Sequence, residues 1–294
     1  MVNKTTRTRI ETLAAQYRAL AKGRETVLHD IAVAEIPEMV YNSNAIENST
    51  LTLKDTEDIL LRDIVRKDRD IREVFEAKNL SKIMASLLDE PSRPLTIPSI
   101  LEWHKTLLTG INDAWAGRFR CGKEWVRVGS HIGANPDFVA SLVEEAVATY
   151  NAGSDEWFLD RIAWFHAEFE IIHPFCDGNG RLGRLLINQQ LLHLGYPPII
   201  VKNKGKHNDY YPFFDNYVAT GKADGFTGRF SLLLMESLHK RIATLTSRRI
   251  IPLNTWIKNA KLNPSAILNK AKRQTIPTFR VHEKWMIASD YELA

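Results

Sequence analysis

His173-Pro174-Phe175-Cys176-Asp177-Gly178-Asn179-Gly180-Arg181-Leu182-Gly183-Arg184 is the stretch from which the rest of this sequence can be read. Just before it, Trp157 to Ile172 places Phe158, Ile162, Phe165, Phe169 and Ile172 at steps of four, three, four and three, the period of a helix with one buried face. Pro174 disfavours helical geometry at His173, so the histidine stands where that helix opens into a loop. Gly178 and Gly180 permit positive φ and close backbone approach, and Asp177 or Asn179 is expected to cap the helix that continues through Leu185-Leu186-Ile187-Asn188. A glycine-rich turn entering a helix is an anion nest. Arg181 and Arg184, three apart, are expected on one face of that helix, with donors suited to phosphate oxygens. Asp177 would repel a phosphate unless a cation lay between them, which makes its hard oxygen a candidate Mg²⁺ ligand. His173 has the titration range of a general base for an attacking hydroxyl. Read alone, a Gly-Asn-Gly turn is only a turn and a histidine beside it only a cap; with an acid and two arginines at these positions the string is far more specific.

Outward from this segment, residues 7–35, 54–66, 70–89, 98–109 and 136–151 carry weaker helical patterns. Gly117 to Arg120 and Trp125 to Gly129 flank Cys121 to Glu124, with Val126 and Val128 alternating against Arg127, which predicts a short β-hairpin in a helical protein. After Arg249 the composition shifts. Seven basic residues against three acidic from Ile250 to Ala294 hold the entire formal excess of +4. The charge is too small for wholesale nucleic-acid wrapping, and 294 residues suit one large domain with one small one. Cys121 and Cys176 are too few for a disulfide framework and lack zinc-site spacing, so a reducing cytoplasm is the expected home. With no signal-like or charge-free apolar run, a soluble chain without a membrane partner is expected. His104, His166 and His193 lie on helical patterns without ligand spacing and read as structural.

The string matches the Fic family motif, H-x-F-x-[DE]-G-N-G-R-x-x-R, at every defined position, and the chain resembles that family over most of residues 40–245. The resemblance implies a mainly α fold, a helical core with a β-hairpin flap, and transfer of AMP from ATP to a Ser, Thr or Tyr hydroxyl of a protein target or of the chain itself. By it His173 is the base, Asp177 holds Mg²⁺, Gly178, Asn179, Gly180 and Arg181 bind phosphates, and Arg184 meets the γ-phosphate. The branch that phosphorylates its target carries a lysine where Gly180 stands, so adenylyl transfer is favoured here. The base, the cation site and the clamp also follow from residue chemistry; the transferred group follows only from the resemblance.

Upstream, Ser43 and Glu47 are four apart and project from one helix face. With Asn48 they match the inhibitory motif [ST]-x-x-x-E-[GN] of one class of the family, which implies that Glu47 pairs with Arg184 and fills the place of the γ-phosphate. Val126, Arg127, Val128 and Gly129 resemble the flap that holds a target segment by strand addition, although Gly133-Ala134 stands where relatives commonly carry two prolines. Tyr210 and Tyr211 resemble the family's tyrosine pair near adenine, or are core. The order of elements after residue 250 resembles a small winged helix-turn-helix. There Lys270, Lys272 and Arg273 would meet DNA phosphates, unless the module serves oligomerisation or docking. The expected organisation is an N-terminal helical region at 1–95 carrying the motif at 43–48, a catalytic core at 96–245 and the small module at 250–294. Two other readings stand beside AMP transfer: removal of AMP through the same site, and a nucleotide-sensing DNA-binding regulator.

Overall fold

Polar residues at helix starts decide where this chain turns helical in the computed structural model, which describes residues 2–128, 131–153 and 155–293. Asn3 caps α1 (Lys4–Ala21) by accepting the Thr6 N–H, satisfying one of the donors that a helix start leaves without partners. Gly23, at φ +72°, separates α1 from α2 (Glu25–Ile46), so the single helix expected over 7–35 is two. The second runs on through Pro37. A proline inside a helix costs roughly 3 kcal/mol, and here the cost is offset by burial of Ile36 before it and of Met39, Val40 and Ile46 beyond it. Thr52 and Asp55 form a reciprocal capping box at α3 (Leu53–Arg62), Asp70 caps α4 (Ile71–Asp89), and Thr96 with Ser99 opens α5 (Ile97–Leu108).

The expected hairpin forms in a different register. β1 (Arg127–Val128) pairs antiparallel with β2 (His131–Ile132), Arg127 opposite Ile132 and Val128 opposite His131. Gly129, read as part of the flap, lies outside the described residues. Gly117 to Arg120, expected as the first strand, is turn and coil because its polar groups are committed elsewhere. The Gly117 N–H goes to His104 Nδ1, Arg118 forms a two-pronged pair with Glu124, and the Arg120 side chain is buried.

A 3₁₀ turn at Pro136–Phe138 leads into α6 (Val139–Ala152), followed by α7 (Phe158–Ile172) and α8 (Asn179–His193). Ile162, Phe165, Phe169 and Ile172 of α7 are buried as their spacing requires. α8 is buried on nearly every side, packed against α7, α4 and α5. Each fully buried Phe or Leu in this layer contributes roughly 2 kcal/mol of apolar burial, which holds the loop between α7 and α8 on a rigid base. Two shorter helices, α9 (Lys206–Asp209) and α10 (Tyr211–Thr220), and the long α11 (Asp224–Thr246) follow.

Two compact units result, one of Val33–Tyr196 with Ile200–Thr227, the other of Val2–Ala32, Pro197–Ile199 and Gly228–Ala294. The first contains all of residues 43–48 and 173–184. In the second, β3 (Ile250–Pro252) precedes α12 (Leu253–Asn259), α13 (Pro264–Lys272), β4 (Thr278–Val281) and β5 (Lys284–Ala288). The strands make an antiparallel sheet in the order β3-β5-β4. β3 and α12 were not foreseen, because Pro252 reads as a breaker whereas it stands at the N-cap of α12. Leu253, Trp256, Ile257, Ile267, Ala271, Ile276 and Ile287 form a core of their own.

Candidate active site

His173 ends α7 in the left-handed region, at φ +51° and ψ +63°. Its Nδ1 lies 3.2 Å from the Glu170 carbonyl, an acceptor, so Nδ1 carries the hydrogen and Nε2 keeps the lone pair. Burial drives its pKa down to about 4, with Glu170 and Glu47 opposing the shift and Arg120 and His131 adding to it. The imidazole is therefore neutral at pH 7, the form a proton acceptor needs.

The loop that follows is locked by its own side chains. Asn179 Oδ1 accepts the Phe175 N–H at 2.9 Å and its Nδ2 donates to the Phe175 carbonyl at 2.8 Å. The Phe175 ring stacks on His104 at 3.6 Å, and His104 accepts from Gly117 on Nδ1 while Nε2–H donates to the Asp177 carbonyl at 3.0 Å. Burial pushes His104 down to about 4, keeping it neutral for that two-sided role. Gly178, at φ +81°, is the N-cap of α8 and makes no side-chain cap; the expected capping by Asp177 or Asn179 does not occur. Asp177 Oδ1 instead accepts from the Gly178 N–H and from Arg181, and Asn179 serves Phe175.

Asp177 and Arg181 belong to a closed ring of charge. Arg72 of α4 bridges Glu76 and Asp177, and Arg181 bridges the same two carboxylates, each at 2.9 Å. This ring lines a cleft of about 370 Å³ together with His173, Gly178, Asn179 and Gly180. The half-exposed Arg72 places a displaceable cation on Asp177. No group of three or more His, Cys, Asp or Glu among the described residues is placed to hold a metal ion. Asp177 faces this cleft with Oδ2 on Arg72 and Oδ1 on the Gly178 N–H and Arg181, so a cation bound there would have to displace Arg72.

Arg181 and Arg184 were expected to act side by side, and they diverge. Arg184 is buried and reaches α2: Nε donates to Ser43 Oγ at 3.0 Å, Nη2 to the Ser43 carbonyl at 2.9 Å and to Glu47 Oε1 at 2.7 Å. A Cβ on Gly180 would collide with that Glu47 oxygen, so the carboxylate rests against the first turn of α8. The C-terminal end of α2 is itself clasped. Lys206 Nζ donates to the carbonyls of Ala45 and Ile46 and to Asn48 Oδ1 at 2.9–3.1 Å, and the Tyr211 hydroxyl donates to the Ile46 carbonyl at 2.8 Å.

Glu47, His173, Gly180 and Arg184 also face a second cavity of about 390 Å³, walled by Val128, Tyr210, Tyr211, Phe214 and Val218. Tyr210 is buried among Phe214, Phe226 and His166, with its hydroxyl 2.8 Å from His166 Nε2, whereas Tyr211 is partly open. Glu170 lines the same cavity, and burial lifts its carboxyl to about 8. Of the flap residues, Val128 faces this cavity, Arg127 is exposed and Val126 is half-buried against Gly133.

Sequence reasoning missed Arg72, Glu76, Arg120, Glu170 and Lys206. None falls in a recognisable motif, and only Glu170, one helical turn before His173, carried a signal: an acid on the buried face of an apolar helix.

Comparison with known proteins agrees with the geometry. Residues 94–191 match the model of the Fic/DOC family. The chain is 33% identical over 189 residues to a protein adenylyltransferase Fic of Nematostella vectensis, covering 60% of this chain and 42% of that relative. The chain therefore spans less than half of that relative's length. A Fic domain containing signaling protein from Bacteroides thetaiotaomicron has a TM-score of 0.70 at 25% identity, over 80% of this chain and 96% of that one. Fic-1 of Caenorhabditis elegans has a TM-score of 0.68 at 25% identity, over 80% and 71% of the two chains.

Proposed function

We propose, from the premise that residues 94–191 carry a Fic/DOC domain, that this chain transfers AMP from ATP to a protein hydroxyl and is held off by Glu47. The carrying observation is the Glu47 carboxylate, 2.7 Å from Arg184 and seated against Gly180 at the start of α8. A helix N-terminus beside a buried arginine is a phosphate site, and a carboxylate there excludes the anion that should occupy it.

With Glu47 displaced, the backbone N–H groups at the start of α8 and the Arg184 guanidinium receive phosphate oxygens, while Asn179 keeps the loop in shape through Phe175. Tyr211 and Phe214 line the cavity that suits the adenine. His173 Nε2 accepts the proton of the target hydroxyl as that oxygen attacks the α-phosphorus. The bond from the α-phosphorus to the bridging oxygen breaks, and pyrophosphate leaves with the electron pair. Asp177 would hold Mg²⁺, which supplies charge neutralisation for the phosphates. The exposed residues Lys270, Lys272 and Arg273 at the end of α13 are proposed as a polyanion contact, with duplex DNA as its ligand.

The test is incubation with α-labelled and with γ-labelled ATP. Glu47→Gly is expected to place α-label on protein at least tenfold faster than wild type, through loss of the blocking carboxylate, and Glu47→Gly with His173→Ala is expected to place none. Equal labelling by wild type and Glu47→Gly at saturating Mg-ATP would remove the inhibitory reading, and γ-label on protein would replace AMP transfer with phosphorylation.

A further inference from the structure

Arg120 is 1% exposed, and its donors reach backbone carbonyls on two segments of chain. Nε donates to the His173 carbonyl at 2.7 Å and Nη2 to the Ile172 carbonyl at 3.0 Å, both at the end of α7. Nη2 also donates to the Ala134 carbonyl, and Nη1 to that of Glu124 at 3.3 Å, on the two sides of the β1–β2 hairpin. The Arg120 N–H adds a bond to the Pro174 carbonyl at 3.0 Å.

Two further links run the same way. His131 Nε2 donates to the Ile171 carbonyl at 3.2 Å, and the Ala134 N–H to the Ile172 carbonyl at 3.1 Å. A proline at 134 has no N–H to make that bond, so the departure from the family's proline pair supplies a tie between hairpin and helix. The last carbonyls of a helix lack partners within it and carry the negative end of its dipole. Here they are satisfied by groups of the hairpin segment. The approach is close: a Cβ at Gly133 would lie 2.9 Å from Arg120 Nη2 and 3.2 Å from His173 Cβ.

We propose that Arg120 is a positioning residue for the transfer, fixing the hairpin that presents the target to the helix end that presents His173. It rests on the reading of His173 as the base. The left-handed conformation of His173 is disfavoured for a residue with a Cβ. Arg120 holds its carbonyl, and with it the direction in which the ring leaves the helix. Lysine cannot replace this fork, because a single ammonium does not span carbonyls on both segments.

The experiment uses Arg120→Lys and Arg120→Met, each alone and with Glu47→Gly, with folding checked by circular dichroism and melting temperature. In the Glu47→Gly background, kcat for AMP transfer is expected to fall about tenfold or more in both variants from lost alignment, with KM for ATP within about twofold. The His173 ring is also titrated by NMR without Glu47→Gly. The groups facing it are Glu170 on α7, Glu47 next to α2, Arg120 and His131 on β2. Arg120 disfavours the imidazolium, so Arg120→Met is expected to move the midpoint upward. Folded variants with unchanged kcat and an unmoved titration would overturn the proposal. If Arg120→Met does not fold, Arg120→Lys decides through kcat. If Glu47→Gly transfers no AMP, the functional reading fails separately. The NMR titration of Arg120→Met, or the His173 chemical shifts of Arg120→Lys, then decides whether Arg120 positions the ring.

Discussion

His104, His166, His173 and His239 are neutral in the fold because burial drives them down to about 4, 3, 4 and 4 from an ordinary 6.5. The unfolded chain binds protons at these rings below 6.5 and the folded chain does not until about 4, so stability rises with pH across that window. Glu170 works in the opposite sense. Its carboxyl, lifted to about 8 from 4.5, contributes stability below pH 4.5 that is lost as pH rises toward 8. Four imidazoles outweigh one carboxyl, and thermal melts are expected to show a steep loss of melting temperature as pH falls from 6.5 to about 4. Glu170→Gln is expected to raise the melting temperature at pH 8 relative to wild type and to leave the acid loss in place. A flat profile from pH 7 to 4 would show that these rings are not buried neutral. At this scale the sequence was informative about identity and silent about environment. His173 and Asp177 stand in a motif, whereas nothing local distinguishes buried Arg120 from exposed Arg127.

Among the elements, α2 and α8 are the two that meet at Arg184. α8 brings Gly180 and Arg184, and α2 ends by delivering Ser43 and Glu47 onto them. Lys206 and Tyr211 clasp the last carbonyls of α2. A cation at a helix C-terminus is worth roughly 1 kcal/mol, about fivefold in an equilibrium. Lys206→Met is therefore expected to speed amide exchange over residues 45–49 and to raise AMP transfer about fivefold, less than is expected of Glu47→Gly. Unchanged exchange and unchanged transfer would show that the clasp does not restrain Glu47. The helical period made α4, α5, α7 and α8 legible from sequence to within a few residues. It failed at α2, where the expected pattern stops at residue 35 and the helix runs on through Pro37 to Ile46, and at the hairpin, where the Gly117 N–H and the side chains of Arg118 and Arg120 are committed elsewhere and displace the first strand.

Across the whole molecule, charge is unevenly placed, with the formal excess of +4 lying beyond residue 249. If α13 presents Lys270, Lys272 and Arg273 to duplex DNA, binding should weaken with salt at a log–log slope of roughly −0.9 per phosphate neutralised. Replacing all three with Glu should abolish retention; no retention of wild type at low salt would end the proposal. No helix among the described residues is long and apolar enough to cross a membrane. The sequence by itself determined the chemistry that neighbours in the chain can share: the histidine, acid and glycines of residues 173–184, the helical faces and the capping residues, all set within a few residues by covalent geometry. Only the tertiary structure decided which groups meet from far apart. Glu47 reaches Arg184 across 137 residues and Arg120 reaches His173 across 53. Such pairs leave no local pattern, because packing of whole helices, not spacing along the chain, brings a buried charge to its partner.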